Sequence, residues 1–184
     1  MSTPNTTETS ATGGLGALAI ITIVAGIGVI LLTLCGNASM LLFPLMKNMP
    51  GMGPALEATE RMMSDTRILA ISLGYALCTI ALWSAAIASG FGMFKLRPWG
   101  RRLAVRFAIG HLGMWVVYLP LNLFFVQPIV RSYTEGLPAT PMTSSFAGIL
   151  ITNLVTFVIY NALPVVLLAI LTRPGVAARF TQGV

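Results

Sequence analysis

Carboxylates are scarce in this sequence. In 184 residues there are five, Glu8, Glu57, Glu60, Asp65 and Glu135, and none lies inside a long apolar run. Proton-coupled carriers and intramembrane proteases ordinarily place acids or metal ligands at membrane depth, so this distribution argues against both. Histidine is scarcer still. His111 stands alone, which leaves no histidine pair for a bis-axial haem and no Ser/His/acid combination within the spans. Cysteine is limited to Cys35 and Cys78. Both fall in apolar runs, where two small packing residues are the plainer reading than a bridge, and their spacing is not that of a metal site. Charge of any sign is thin, at 9% of residues against roughly 25% in a soluble domain. No glycine-rich phosphate loop precedes a helix. A soluble enzyme domain has no room in what remains.

What the sequence has is hydrophobicity, at 56% of residues. It is concentrated in four runs at 15–43, 68–94, 103–126 and 146–171. Each has the ~20 apolar residues that a helix needs to cross ~30 Å of hydrocarbon. The expectation is an all-α integral membrane protein, an up-down-up-down four-helix bundle with short connections. Residues 1–14 are rich in Thr, Ser and Gly and read as a flexible polar tail. They carry no Lys or Arg, and the run behind them is longer than a signal-peptide core, so cleavage is not expected. Residues 172–184 read as a short cytoplasmic tail. Pro54, Glu57 and Glu60 mark the start of a short interfacial helix at about 54–66. The segment 127–145, with Pro128, Gly136, Pro138 and Pro141, reads as an irregular cap.

The net charge of +6 does not point to nucleic acid, because the cations bracket the spans rather than forming a soluble face. With the N-terminus cytoplasmic, Lys95, Arg97, Arg101, Arg102, Arg106, Arg173 and Arg179 fall inside, while Lys47, Arg61, Arg67 and Arg131 fall outside among four of the acids. The positive-inside rule therefore places both termini in the cytoplasm. In the loop between spans two and three, Pro98 and Gly100 are expected to break the helix. Lys95, Arg97, Trp99, Arg101 and Arg102, with Arg106 snorkelling, are expected at the headgroups of an anionic leaflet.

In lipid, helices associate through close packing at small residues and through occasional polar contacts. At 3,4 spacing, span one offers Ala19, Thr22, Gly26, Val29, Thr33 and Gly36. Span two offers Gly74, Cys78, Ala81, Ala85, Ala88 and Gly92. Span three offers Ala104, Ala108, His111, Trp115, Tyr118, Asn122 and Phe125, and span four Asn153, Phe157, Tyr160 and Pro164. The packing glycines and alanines are expected to be Gly26, Gly74, Ala81, Ala85, Ala88 and Gly92. Pro120 and Pro164 should each kink their span, and the outer end of span three should bend near Leu119. Trp83, Phe91, Phe124 and Phe125 could face partner helices or lipid.

Two groups of residues carry candidate chemistry. His111, with Tyr160 and Asn161 expected at a similar depth, could ligate a haem iron or chlorophyll magnesium or hydrogen-bond a quinone; the plainer alternative is a neutral histidine satisfied inside the bundle. Met46, Met49 and Met52 form an M-x-x-M-x-x-M run of soft thioethers, suited to Cu(I) or simply to adaptable packing.

The loop Leu96-Arg97-Pro98-Trp99-Gly100-Arg101-Arg102 and the ending Leu171-Thr172-Arg173-Pro174-Gly175-Val176-Ala177-Ala178-Arg179-Phe180 resemble the inner loop and tail of small bacterial four-span membrane proteins. The resemblance covers under a tenth of the chain. It implies a bacterial inner membrane and no particular activity. The function these features favour is that of a non-catalytic subunit or scaffold of a larger membrane complex, with lipids and other membrane subunits as partners. Porphyrin, chlorophyll or quinone binding through His111, and a small-solute or copper channel, are the alternatives.

Overall fold

A computed structural model describes residues 6–42, 53–134 and 146–181. Among them the chain is all helical: α1 (Thr6–Leu42), α2 (Gly53–Ser64), α3 (Thr66–Phe94), α4 (Pro98–Leu121), a π turn (Asn122–Val126), α5 (Gln127–Thr134), α6 (Phe146–Leu171) and α7 (Pro174–Arg179). Four stretches are long and apolar enough to cross a membrane: Gly14–Ala38, Thr66–Phe94, Pro98–Tyr133 and Leu150–Leu171. Helix α1 already begins at Thr6, inside the segment expected as a tail. The helix expected at 54–66 is α2.

The chain divides into two compact units. The first comprises Met1–Leu31, Ile80–His111 and Ala162–Val184; the second comprises Leu32–Thr79 and Leu112–Asn161.

In the first unit, α1 and α3 touch where glycine removes the side chain. A Cβ on Gly90 would stand 2.5 Å from Ile23 Cγ1 and 3.0 Å from the Ala19 carbonyl. A Cβ on Gly26 would stand 2.6 Å from Ile87 Cγ1. A tighter approach joins α3 to α4. The connection is only Lys95-Leu96-Arg97, and Pro98 and Gly100 do not break a helix, as their sequence context suggested. Pro98 instead starts α4, where the first N–H groups have no intrahelical acceptor and a missing one costs nothing. Leu96 takes a left-handed conformation at φ 50°. Its N–H donates to the Met93 carbonyl at 2.9 Å, and that of Arg97 to the Gly92 carbonyl at 2.9 Å. This is the Schellman pattern, here with leucine where glycine is usual. Leu96 packs against the unit's core, which offsets the backbone cost. So short a turn brings Gly92 onto Gly100: a Cβ on Gly92 would lie 2.5 Å from the Gly100 Cα.

That core contains Leu15, Leu18, Trp83, Met93, Phe107 and Leu167, and it extends to Phe180. The segment 174–180 therefore folds back onto this core. Pro174 at the first position of α7 turns the chain, and Phe180 is buried.

The second unit holds the α2–α3 corner. Asp65 caps α3, its carboxylate accepting from the Arg67 N–H at 2.9 Å. The same carboxylate accepts from Arg67 Nη2 at 2.8 Å and from the Tyr133 hydroxyl of α5 at 3.2 Å. Beyond Pro120 the helix does not end. It widens into the π turn and continues as α5, so 127–134 is helical where an irregular cap was expected.

Three of the expected seams meet buried residues. Ala19, Thr22 and Gly26 of α1 are buried, as are Ala104, Ala108, His111, Trp115 and Asn122 of α4 and its π turn, and Pro164 of α6. Gly36 and Phe125 are not; both are exposed, Phe125 to 62%. The π turn inserts an extra residue into the helical repeat and turns the positions after Asn122 out of register. The seam expected on α3 is displaced. Gly92 is buried and Ala85 half-buried, but Gly74, Cys78, Ala81 and Ala88 are exposed. The buried face is instead Ala76, Thr79, Trp83, Ala86, Ser89, Gly90 and Met93. Lipid tails are as apolar as a helix core, so hydrophobicity does not choose between the two faces. The buried face carries Trp83 and Met93 among small residues, while Leu73, Leu77, Phe91 and Phe94 are exposed. Trp83, expected at an outer surface, is thus interior, while Phe91, Phe124 and Phe125 are exposed. Cys35 and Cys78, expected as core residues, are exposed free thiols.

Candidate functional site

A polar side chain in an apolar helix ordinarily satisfies itself on the preceding turn. Thr22 donates to the Leu18 carbonyl at 2.7 Å, Thr156 to that of Thr152 at 2.8 Å, and Asn37 Nδ2 to that of Thr33 at 2.7 Å. Such residues require no ligand. The places that depart from this pattern are the candidates.

His111 is completely buried in the first unit. Its ring packs at 5.3 Å from that of Trp83 and at 5.6 Å from that of Phe107. Tyr160 and Asn161 belong to the second unit. Tyr160 lies 6.2 Å from Trp115, centroid to centroid. Asn161 donates Nδ2 to the Phe157 carbonyl at 2.8 Å, and its buried Oδ1 has no hydrogen-bond partner among the described residues. Met46, Met49 and Met52 lie outside the described residues. Among the described residues no three His, Cys, Asp or Glu side chains gather closely enough to hold a metal ion.

The expected headgroup cluster divides in two. Lys95, Arg97 and Trp99 are exposed and, with Phe91, line a shallow cavity of about 320 Å3. Arg102 and Arg106 are exposed as well. Arg101 differs from these in its surroundings. It is half-buried and donates Nε to the Leu171 carbonyl at 2.8 Å. That carbonyl, at the end of α6, has no intrahelical donor, and the helix dipole favours a cation there.

The second unit contains a group that the sequence did not announce. Tyr75 and Tyr118 stack with ring centroids 4.1 Å apart, and Trp115 meets both edge-on. Asn122, buried at the π turn, donates Nδ2 to the Tyr118 hydroxyl at 3.1 Å and accepts from Gln127 Nε2 at 3.3 Å. Tyr75, Tyr118 and Tyr160 line one partly open cavity of about 280 Å3, together with Asn37 and Val126. The available signals were Tyr118 and Asn122 four residues apart on span three and Tyr160 on span four. Tyr75 lay off the expected seam of span two and carried no signal of its own.

No protein-family model matches the chain, and comparison with curated proteins and with solved structures finds no match.

Proposed function

We propose that the chain is a non-catalytic integral membrane subunit that packs through its transmembrane helices against other membrane protein chains. The observation that most favours this reading is on α3. Gly74, Cys78, Ala81 and Ala88, spaced as neighbours along one side of a helix, are exposed, and a Cβ on Gly74 would meet nothing within 4 Å. In hydrocarbon a row of small residues lets a second backbone approach closely. In this reading the four spans run up-down-up-down as a bundle in a bacterial inner membrane, with both termini cytoplasmic. Helix α2 lies at the interface. Lys95, Arg97, Trp99, Arg102 and Arg106 face anionic headgroups.

The test is the protein's assembly state in a mild detergent. Ala81→Leu combined with Ala88→Leu places bulk only on exposed positions. It is expected to abolish association while leaving the thermal stability of the chain unchanged. Wild-type protein that purifies as a lone monomer, or a double variant that still associates, contradicts the proposal.

A further inference from the structure

The tyrosine-lined cavity of the second unit does not contribute to that packing reading, and its chemistry is specific. Its lining residues, from Leu32 to Tyr160, all belong to the four candidate membrane spans. No Lys, Arg, His, Asp or Glu is among its described lining residues. An ion would lose its hydration there without a counter-charge, at a cost of several kcal/mol, so the occupant is neutral. Two of the walls are aromatic rings, Tyr75 stacked on Tyr118, which favours a ring in offset or edge contact. The volume of about 280 Å3 is at the small end of ligand pockets, ~300–1,000 Å3. It suits one ring system and not a macrocycle.

The polarity of the site is set by Tyr118. Gln127 Nε2 donates to Asn122 Oδ1, and Asn122 Nδ2 donates in turn to the Tyr118 oxygen. Asn122 offers Tyr118 no acceptor, so the phenolic proton is directed elsewhere. The π turn is part of the device, since it carries Asn122 at its start and Val126, on the cavity wall, at its end. Single π turns recur at functional sites for this reason: they re-aim side chains within an otherwise regular helix.

We propose that this cavity binds a neutral, lipid-soluble ring whose carbonyl oxygen accepts the Tyr118 hydroxyl, the chemistry of a quinone headgroup. The site lies on residues other than His111 and requires no metal.

The test uses the full chain in detergent micelles, titrated with decylubiquinone while tryptophan emission is followed. Trp115 reports on the site, its ring lying 5.6 Å from that of Tyr118. Saturable quenching is expected. Tyr118→Phe keeps the ring and removes the donor, and should weaken binding about three- to tenfold. Val126→Phe fills the cavity while leaving Tyr118 itself unchanged and should abolish saturation, so the proposal stays testable if the first variant does not fold. Tyr133→Phe, outside the cavity, should leave affinity unchanged, and decylbenzene should not compete. Quenching that rises linearly with added quinone, as for partition into the micelle, would overturn the proposal. So would equal affinity in Tyr118→Phe, saturation surviving in Val126→Phe, or displacement by decylbenzene.

Discussion

Replacing Gly92 with alanine tests whether the α3–α4 hairpin is held by backbone contact. The added methyl carbon would stand 2.5 Å from the Gly100 Cα. Carbon atoms rest ~3.5–4.0 Å apart, so the two helices must separate by about 1 Å. No rotamer change relieves this, because the atom it meets is main chain. The turn cannot absorb it either, with Leu96 already left-handed and the Leu96 and Arg97 N–H groups bonded back to α3. Overpacking of this kind costs ~1–3 kcal/mol. For a chain of this size each kcal/mol lowers Tm by ~2–4 °C, so a fall of about 2–12 °C is expected. Gly100→Ala attacks the same contact from α4 and should match it. Gly28→Ala and Gly113→Ala are the controls, since an added Cβ at either meets nothing within 4 Å. Both should be neutral or stabilising by up to ~1 kcal/mol through helix propensity. Thermal unfolding in detergent, read as loss of the monodisperse gel-filtration peak, separates the cases. If Gly92→Ala melts with Gly28→Ala, the close-approach argument is wrong.

Three further outcomes can be checked in the same assay. Phe180→Ala removes a buried ring from the core of the first unit and should cost ~3–5 kcal/mol; a change near zero would mean that the end of the chain does not dock. Arg101→Ala deletes the charged donor to the Leu171 carbonyl and should cost ~1.5–3 kcal/mol, with Arg101→Lys recovering only part because an ammonium lacks the guanidinium's fixed geometry; full recovery by lysine would show that charge alone matters. Asp65 titrates low: hydrogen bonds from the Arg67 guanidinium, and then from the Arg67 N–H, hold its carboxyl at about 2 against an ordinary 3.8. Its folded-state value is depressed, so its contribution is fully present above pH ~4 and is lost as pH falls from there through about 2. Wild-type Tm should therefore drop more steeply over that window than the Tm of Asp65→Asn; parallel curves would refute the assignment.

The spans were legible because the membrane imposes a length and a polarity that composition alone reveals. The run expected at 146–171 matches α6 residue for residue, and 68–94 falls two residues short of the start of α3. Connections were less legible. Proline and glycine at 98 and 100 read as helix breakers, yet at a helix start proline is favoured, and glycine there serves an approach that only the partner at 92 explains. The facing direction of α3 was hidden, because both of its sides are apolar and lipid gives no contrast. The π turn was hidden as well. Nothing in Asn122-Leu123-Phe124-Phe125-Val126 departs from ordinary helix formers enough to mark it, and Phe125, readable from sequence both as a seam residue and as an outward aromatic, is exposed beyond it. Of the candidate sites, His111 drew attention as the lone histidine, placed inside a span. The tyrosine cavity needed three dimensions, since its residues come from four separate spans.

The central claim is that this chain works by packing against other membrane chains, and its assembly state decides that most directly. The mass of the detergent-solubilised native protein, measured by light scattering with the micelle subtracted, is the measurement. The account predicts a mass above that of one chain for the wild type, falling to one chain in Ala81→Leu/Ala88→Leu without loss of thermal stability. A wild-type mass of one chain, with no second protein in the peak, contradicts it.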